Sequence, residues 1–192
     1  AELKKALDEN PDAVAVFTTL NETSTGVYND IEAFGKLTAN HKAILVVDGI
    51  SGIGAQPFYM DKWNVDIIAV GSQKGLMIPP GLAYIAASKK AWAVIENCKS
   101  PKFYFDMKKY EKAATKEKMP DTPFTSAVSL VCQQAAALKL IKEEGIEKVW
   151  ERHEKLSKAV GSKIESESIV TKNSPRAIII ALFLATCFPE FS

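Results

Sequence analysis

Ala43-Ile44-Leu45-Val46-Val47-Asp48-Gly49-Ile50-Ser51-Gly52-Ile53-Gly54 is the stretch that decides how this chain folds. An unbroken apolar run, too short for a helix and rich in β-branched residues, predicts a strand over 43–47 that is buried on both faces. A carboxylate then closes the strand, and a glycine turn carries the chain away. The same grammar recurs on either side. Upstream, Ala13 to Phe17 is a second short apolar run, followed over 18–26 by a loop rich in Thr, Ser and Asn. Downstream, Val65 to Val70 is a third, closed by Gly71-Ser72-Gln73-Lys74-Gly75, and Leu82 to Ala87 is a fourth. Leu3, Ala6 and Leu7 share one helical face, and that helix stops at Asn10-Pro11 because a residue before proline avoids the α region. Ile31, Phe34 and Leu37 mark a second helix. Buried strands alternating with helices or long loops predict an α/β fold around a largely parallel sheet. Ligands bind such sheets at the carboxyl ends of the strands. Thr23 and Ser24, Asp48, and Gln73 and Lys74 collect at those ends.

Beyond Pro101 the character changes. The lysine-rich stretch 107–118 reads as an exposed, mobile connection with a solvated charged face. Ser126 to Glu144 carries Val128, Val131, Ala135, Leu138 and Ile141 at helical spacing, and Ile146 to Lys163 continues with Val149, Leu156 and Val160 after a break at Gly145. The apolar run Ala177 to Ala185 predicts a strand of a separate layer.

Composition narrows the function. With 24 Lys and Arg against 23 Asp and Glu in 192 residues, the net charge of +1 leaves no electrostatic footprint for nucleic acid or an anionic membrane. The longest apolar run falls far short of the ~20 residues of a membrane helix. Cys98, Cys132 and Cys187 are odd in number and form no Cys-x-x-Cys pair, and His41 stands far from His153, so neither a disulfide framework nor a metal site is expected. A reducing, cytoplasmic compartment is the default.

Asp48 and Lys74 each close a buried strand. A lysine at the mouth of an apolar sheet is expected to be partly desolvated, which favours its nucleophilic amine and Schiff-base chemistry with an aldehyde. A carboxylate at a neighbouring strand end could hold a pyridinium proton, the pairing a pyridoxal-phosphate site requires. The alternative is a lysine that reaches for solvent and an aspartate that caps a turn. The glycine turn also approximates a dinucleotide phosphate loop, but it reads Gly-x-x-Gly-x-Gly and Pro57 interrupts any following helix. Tyr104 and Lys108 have the Tyr-x-x-x-Lys spacing of short-chain reductases, within a charged stretch where a surface role is favoured.

Asn21-Glu22-Thr23-Ser24-Thr25-Gly26-Val27, the Val47 to Gly54 segment, Gly71-Ser72-Gln73-Lys74-Gly75-Leu76 and Pro79-Pro80-Gly81-Leu82 stand in this order along the chain. Over residues 1–160 this resembles the class V aminotransferases, specifically the alanine–glyoxylate and serine–pyruvate group. The resemblance implies a fold-type I pyridoxal-phosphate enzyme, a homodimer with active sites near the subunit interface. It implies that Lys74 forms the Schiff base with pyridoxal 5'-phosphate and that Asp48 pairs with the pyridine nitrogen. By the same resemblance Thr23 hydrogen-bonds the cofactor, Ile50 packs on its ring, Gln73 lies beside its phosphate, and Thr122 and Thr125 reach a neighbouring subunit's phosphate. The activity implied is transamination between a small amino acid, alanine or serine, and a 2-oxo acid such as glyoxylate or pyruvate. Another class V reaction, phosphonate transamination or desulfuration, is the alternative on the same cofactor. A nucleotide-binding reductase is the alternative outside it.

The match has gaps. Leu20 stands where the family often has a histidine, and Arg152 and Arg176 do not sit in the family's substrate-carboxylate motif. The family's N-terminal third, with its phosphate-cradling loop, is not represented. The expected organisation is the central part of a cofactor-binding large domain over 1–145 and the incomplete start of a small domain over 146–192, which reads as a fragment or a truncated product. The alternative role for such a piece is a non-catalytic remnant. The expectation is that the 192-residue chain alone turns over poorly or not at all, and full transaminase activity in an amino-donor assay of the purified chain would overturn it.

Overall fold

The computed structural model describes residues 1–117, 119, 121–166 and 181–183. The elements that build the sheet and its first layer are α1 (Glu2–Glu9), β1 (Ala15–Thr19), a small hairpin of β2 (Asn21–Glu22) and β3 (Val27–Tyr28), α2 (Ile31–Thr38), β4 (Ile44–Asp48), β5 (Ile67–Gly71) and β6 (Ala83–Ala87). The remainder comprises α3 (Lys89–Asn97), α4 (Met107–Ala114), α5 (Val128–Glu144), α6 (Ile146–Ser166) and β7 (Ala181–Phe183). Helix α2 spans the residues its spacing predicts. Each strand expected before residue 80 is present, displaced one or two residues toward its carboxyl end.

One five-stranded sheet runs in the order β6-β5-β4-β1-β7. β1, β4 and β5 are parallel, whereas β6 and β7 run antiparallel along the two edges. β6 reverses because residues 72–82 return the chain directly, and a parallel partner would need a longer crossover. β7 lies in this same sheet, paired with β1, rather than in the separate layer expected for 177–185. The other residues of that run lie outside the described ones.

The core forms on one face. Val16 and Leu45 are fully buried with Val47 and Val65, against Leu3 and Leu7 of α1 and Ile31 of α2. Asp30 caps α2 by accepting from the Ala33 amide at 3.0 Å. The opposite face of the strands is only partly covered: Ala15 and Ile44 are buried there, but Phe17 is 39% and Ile85 55% exposed, so the expectation of strands buried on both faces holds in part. The expected mobile connection over 107–118 contains α4, capped by Asp106 and anchored through the buried Ala113 and a bond from Lys108 Nζ to the Glu96 carbonyl at 2.6 Å.

At the amino ends of β4 and β5 a buried carboxylate joins strand to helix. Asp66, 5% exposed, accepts from the Leu45 amide at 2.9 Å and from the Ser88 hydroxyl at 2.6 Å. Ser88 in turn caps α3 through the Ala91 amide. Lys90 Nζ stands 3.4 Å from Asp66 Oδ2 and donates to the Ala43 carbonyl at 2.6 Å. Removing one member of such a set leaves the others buried and unmet. Asp66→Ala is therefore expected to lower stability by about 3 kcal/mol, read as a shift in the denaturant midpoint at unchanged slope.

Candidate functional site

Parallel pairing brings the carboxyl ends of β1, β4 and β5 to one edge of the sheet. Thr19 is level with Asp48, and Asp48 with Ala69. The chain leaves β4 under control of both neighbours: the Leu20 amide donates to the Asp48 carbonyl at 2.8 Å, and the Gly49 amide to the Ala69 carbonyl at 2.8 Å. The Asp48 side chain is then oriented locally, its Oδ1 accepting from the Ile50 amide at 2.8 Å, as aspartates do at turns. A cavity of about 270 Å³ opens above, lined by Thr19, Asp48 and Ile50 with Phe17, Val46 and Ala69. A carboxylate among mostly apolar walls, with one oxygen committed to a backbone amide, is suited to hold a proton on a ring nitrogen.

The hairpin loop closes over this turn. Thr23 Oγ1 hydrogen-bonds Ser51 Oγ, linking the expected cofactor-binding threonine to the glycine turn. Beside it Glu22 accepts from the Ser24 hydroxyl and amide, which hold its carboxyl below the usual carboxylate range. Leu20, in the place of the family's histidine, is fully buried in the core beneath the turn.

Lys74 rides on the loop between β5 and β6. Buried Ser72 ties that loop at its base: its amide donates to the Leu82 carbonyl at 3.1 Å and its hydroxyl to the Pro79 carbonyl at 2.8 Å. Two glycines then lock this loop to the turn after β4. A Cβ on Gly75 would lie 2.3 Å from the Ile53 carbonyl oxygen, and one on Gly54, at φ +88, 2.7 Å from the Gly75 oxygen. Only residues without a side chain allow two backbones this close. Gln73 and Lys74 themselves are exposed, so the desolvation expected of Lys74 is not met: a loop outside the cavity wall carries it, not the strand.

The structure therefore gathers Asp48, Ile50 and Thr23 around one turn and fastens the Lys74 backbone to it. Thr122 and Thr125 are exposed on the segment between α4 and α5, where Thr122 Oγ1 donates to the Phe124 carbonyl at 2.7 Å, and neither lines the cavity. Two polar residues near the site were not expected. Ser51 lies within the Val47 to Gly54 segment and bonds Thr23. Gln134 is 5% exposed on α5, accepts from the Tyr84 hydroxyl at 3.0 Å and reaches the Lys74 loop. Burial raises the Tyr84 phenol above its ordinary range, which keeps it a donor. Among the described residues no group of three or more His, Cys, Asp and Glu side chains gathers as metal ligands would, and no helix is long and apolar enough to cross a membrane.

Residues 1–190 match the family described as aminotransferase class-V. The chain is 41% identical over 153 residues to the small subunit of a soluble hydrogenase from Synechococcus, covering 79% of this chain and 39% of that protein. It is likewise 41% identical over 165 residues to a serine–glyoxylate aminotransferase from Arabidopsis thaliana, covering 85% of this chain and 41% of the relative. The crystal structure of an alanine–glyoxylate aminotransferase from Nostoc superposes with a TM-score of 0.79 at 29% identity, over 86% of this chain and 44% of that one. The chain thus spans less than half the length of these relatives, and its fold is that of the fold-type I pyridoxal-phosphate transferases.

The glycine lock yields a direct test. Gly75→Ala drives a methyl group into the Ile53 carbonyl, so the two loops must part. Overpacking of this kind is expected to cost about 1–3 kcal/mol in the denaturant midpoint.

Proposed function

The chain belongs to the class V aminotransferase family, and from that premise we propose that it is the cofactor-binding portion of an enzyme that moves an amino group from alanine or serine to glyoxylate or pyruvate. The observation that supports this reading is the oriented Asp48 carboxylate in the strand-end cavity, with the Lys74 loop locked beside it. The names of the Arabidopsis and Nostoc proteins, both acting on glyoxylate, agree with that choice of acceptor.

The residues fit pyridoxal phosphate. Asp48 offers an acceptor whose direction the Ile50 amide fixes, Ile50 and Val46 give apolar walls for a ring, and the loops after β1 and β4 carry the hydroxyls of Thr23 and Ser51, bonded to each other. When bound, the cofactor supplies an electron-accepting ring that stabilises the charge left when a substrate α-carbon loses its proton. Asp48 would keep a proton on the ring nitrogen, because a neighbouring carboxylate favours the charged pyridinium. Lys74 would hold the cofactor through its amine and, once released, carry the proton away from the substrate α-carbon. An exposed, flexible four-carbon side chain on a fastened backbone can do both. Gln73 would lie near the phosphate.

Thr122 and Thr125 stand away from the cavity on an exposed segment, which accords with a role toward a second subunit in a cytoplasmic homodimer. We place the boundary between the large-domain portion, 1–145, and the start of a small domain, 146–192, at Gly145, where φ +90 separates α5 from α6.

Incubation with pyridoxal phosphate, reduction with borohydride and mass-spectrometric mapping tests the assignment. Label is expected at Lys74, lost in Lys74→Ala and reduced about tenfold or more in Asp48→Asn, since one pKa unit of lost pairing corresponds to a factor of ten. Label scattered over surface lysines and indifferent to both substitutions would sink the reading.

A further inference from the structure

Buried side-chain amides are costly unless donor and acceptor are both satisfied. Gln134 satisfies both in a revealing way. Its Oε1 accepts from the Tyr84 hydroxyl of β6 at 3.0 Å, and its Nε2 donates to the Leu76 carbonyl at 3.4 Å. That carbonyl belongs to the planar peptide unit whose N–H is the Met77 amide. The Met77 amide donates back to the Lys74 carbonyl at 2.9 Å. One rigid plane is thus held at its oxygen by Gln134 and at its nitrogen by Lys74.

Two further features agree. Met77 adopts φ +63, a left-handed conformation rare for a residue with a long side chain, and it needs a surrounding structure that imposes it. One turn before Gln134 on the same helical face, Leu130 lies against Gly81, where a Cβ would stand 2.5 Å from its Cδ1. Helix α5 therefore grips the 72–82 loop at two points.

We propose that Gln134 is a positioning residue for Lys74: through the Leu76–Met77 peptide it fixes the direction in which the Lys74 side chain leaves the loop. The inference rests on the reading of Lys74 as the cofactor lysine. Gln134 touches no reacting atom and acts only through the backbone of the loop.

The test compares Gln134→Leu, which removes both bonds without burying an unmet amide, with Tyr84→Phe, which removes only the Tyr84 bond; Gln134→Met serves if the leucine variant does not fold. Hydrogen exchange at the Met77 amide, measured without cofactor, is expected to quicken about tenfold in Gln134→Leu, as loss of a hydrogen bond near the upper end of the usual net range implies, and to change less than about twofold in Tyr84→Phe. With pyridoxal phosphate added, borohydride trapping at Lys74 should slow in Gln134→Leu and not in Tyr84→Phe. Equal effects of both variants on unfolding, with Met77 exchange and Lys74 trapping unmoved, would overturn the proposal and leave Gln134 as a fastener of α5 to β6. Faster Met77 exchange in the variant, with no Lys74 label even in the unsubstituted protein, would uphold the tether and overturn the role toward Lys74 together with the reading it rests on.

Discussion

A buried strand cannot leave its backbone amides and carbonyls unpaired, and the register this forces on β1, β4 and β5 governs everything at the candidate site. Because Thr19, Asp48 and Ala69 are held level, the chain exits from β1 and β4 occur at one height. The Leu20 and Gly49 amides then complete the pairing on either side of Asp48, so even the first residues of the loops inherit the order of the sheet. The backbone of Asp48 is thereby fixed, and its carboxylate is turned by the Ile50 amide.

Asp66 and Asp48 show what that position is worth. They are the same residue type at opposite ends of neighbouring strands. Asp66 also borders a cavity, but both its oxygens are engaged, by the Leu45 amide, the Ser88 hydroxyl and the Lys90 ammonium. Asp48 spends one oxygen on the Ile50 amide and lines a cavity. The first is structural because burial demanded partners; the second is available because the strand ends open toward solvent.

Much of this was legible in residue order. Three of the sheet's strands are short apolar runs, α2 has one clear apolar face, and the polar residues of the site follow directly after strands, where an α/β sheet binds ligands. What stayed hidden depended on long-range packing. The spacing of Val128, Val131, Ala135, Leu138 and Ile141 picks out a face of α5 that is mostly exposed, Val128 by 67% and Leu138 by 47%, while Gln134, Ala137 and Ile141 point inward. A glutamine on a helix reads as solvent-facing unless its two partners, Tyr84 and Leu76, are known to lie opposite, and those are 50 and 58 residues away. The lysine-rich stretch hid α4 for a related reason: its one buried side chain is the small Ala113, and the Lys108 anchor reaches a backbone carbonyl twelve residues away. Exposure of Lys74 answers to the alternative weighed from the sequence, a lysine that reaches for solvent, and it follows from the path of the loop and not from the strand before it.

That path explains why a mobile side chain should sit on so constrained a backbone. On the proposed reading, an amine that both holds a ligand and moves a proton needs rotational freedom in its methylenes, but each loosened backbone torsion multiplies the volume it searches. The Gly54–Gly75 contact, the Ser72 knot and the Gln134 bond remove backbone freedom on either side of Lys74 and leave its side chain untouched. Glycine performs the nearest of these fixings because only backbone-to-backbone contact is short enough to act one residue from the lysine without a side chain crowding its amine. Rigid support beneath a flexible group is thus achieved in this chain by the smallest residue beside one of the longest.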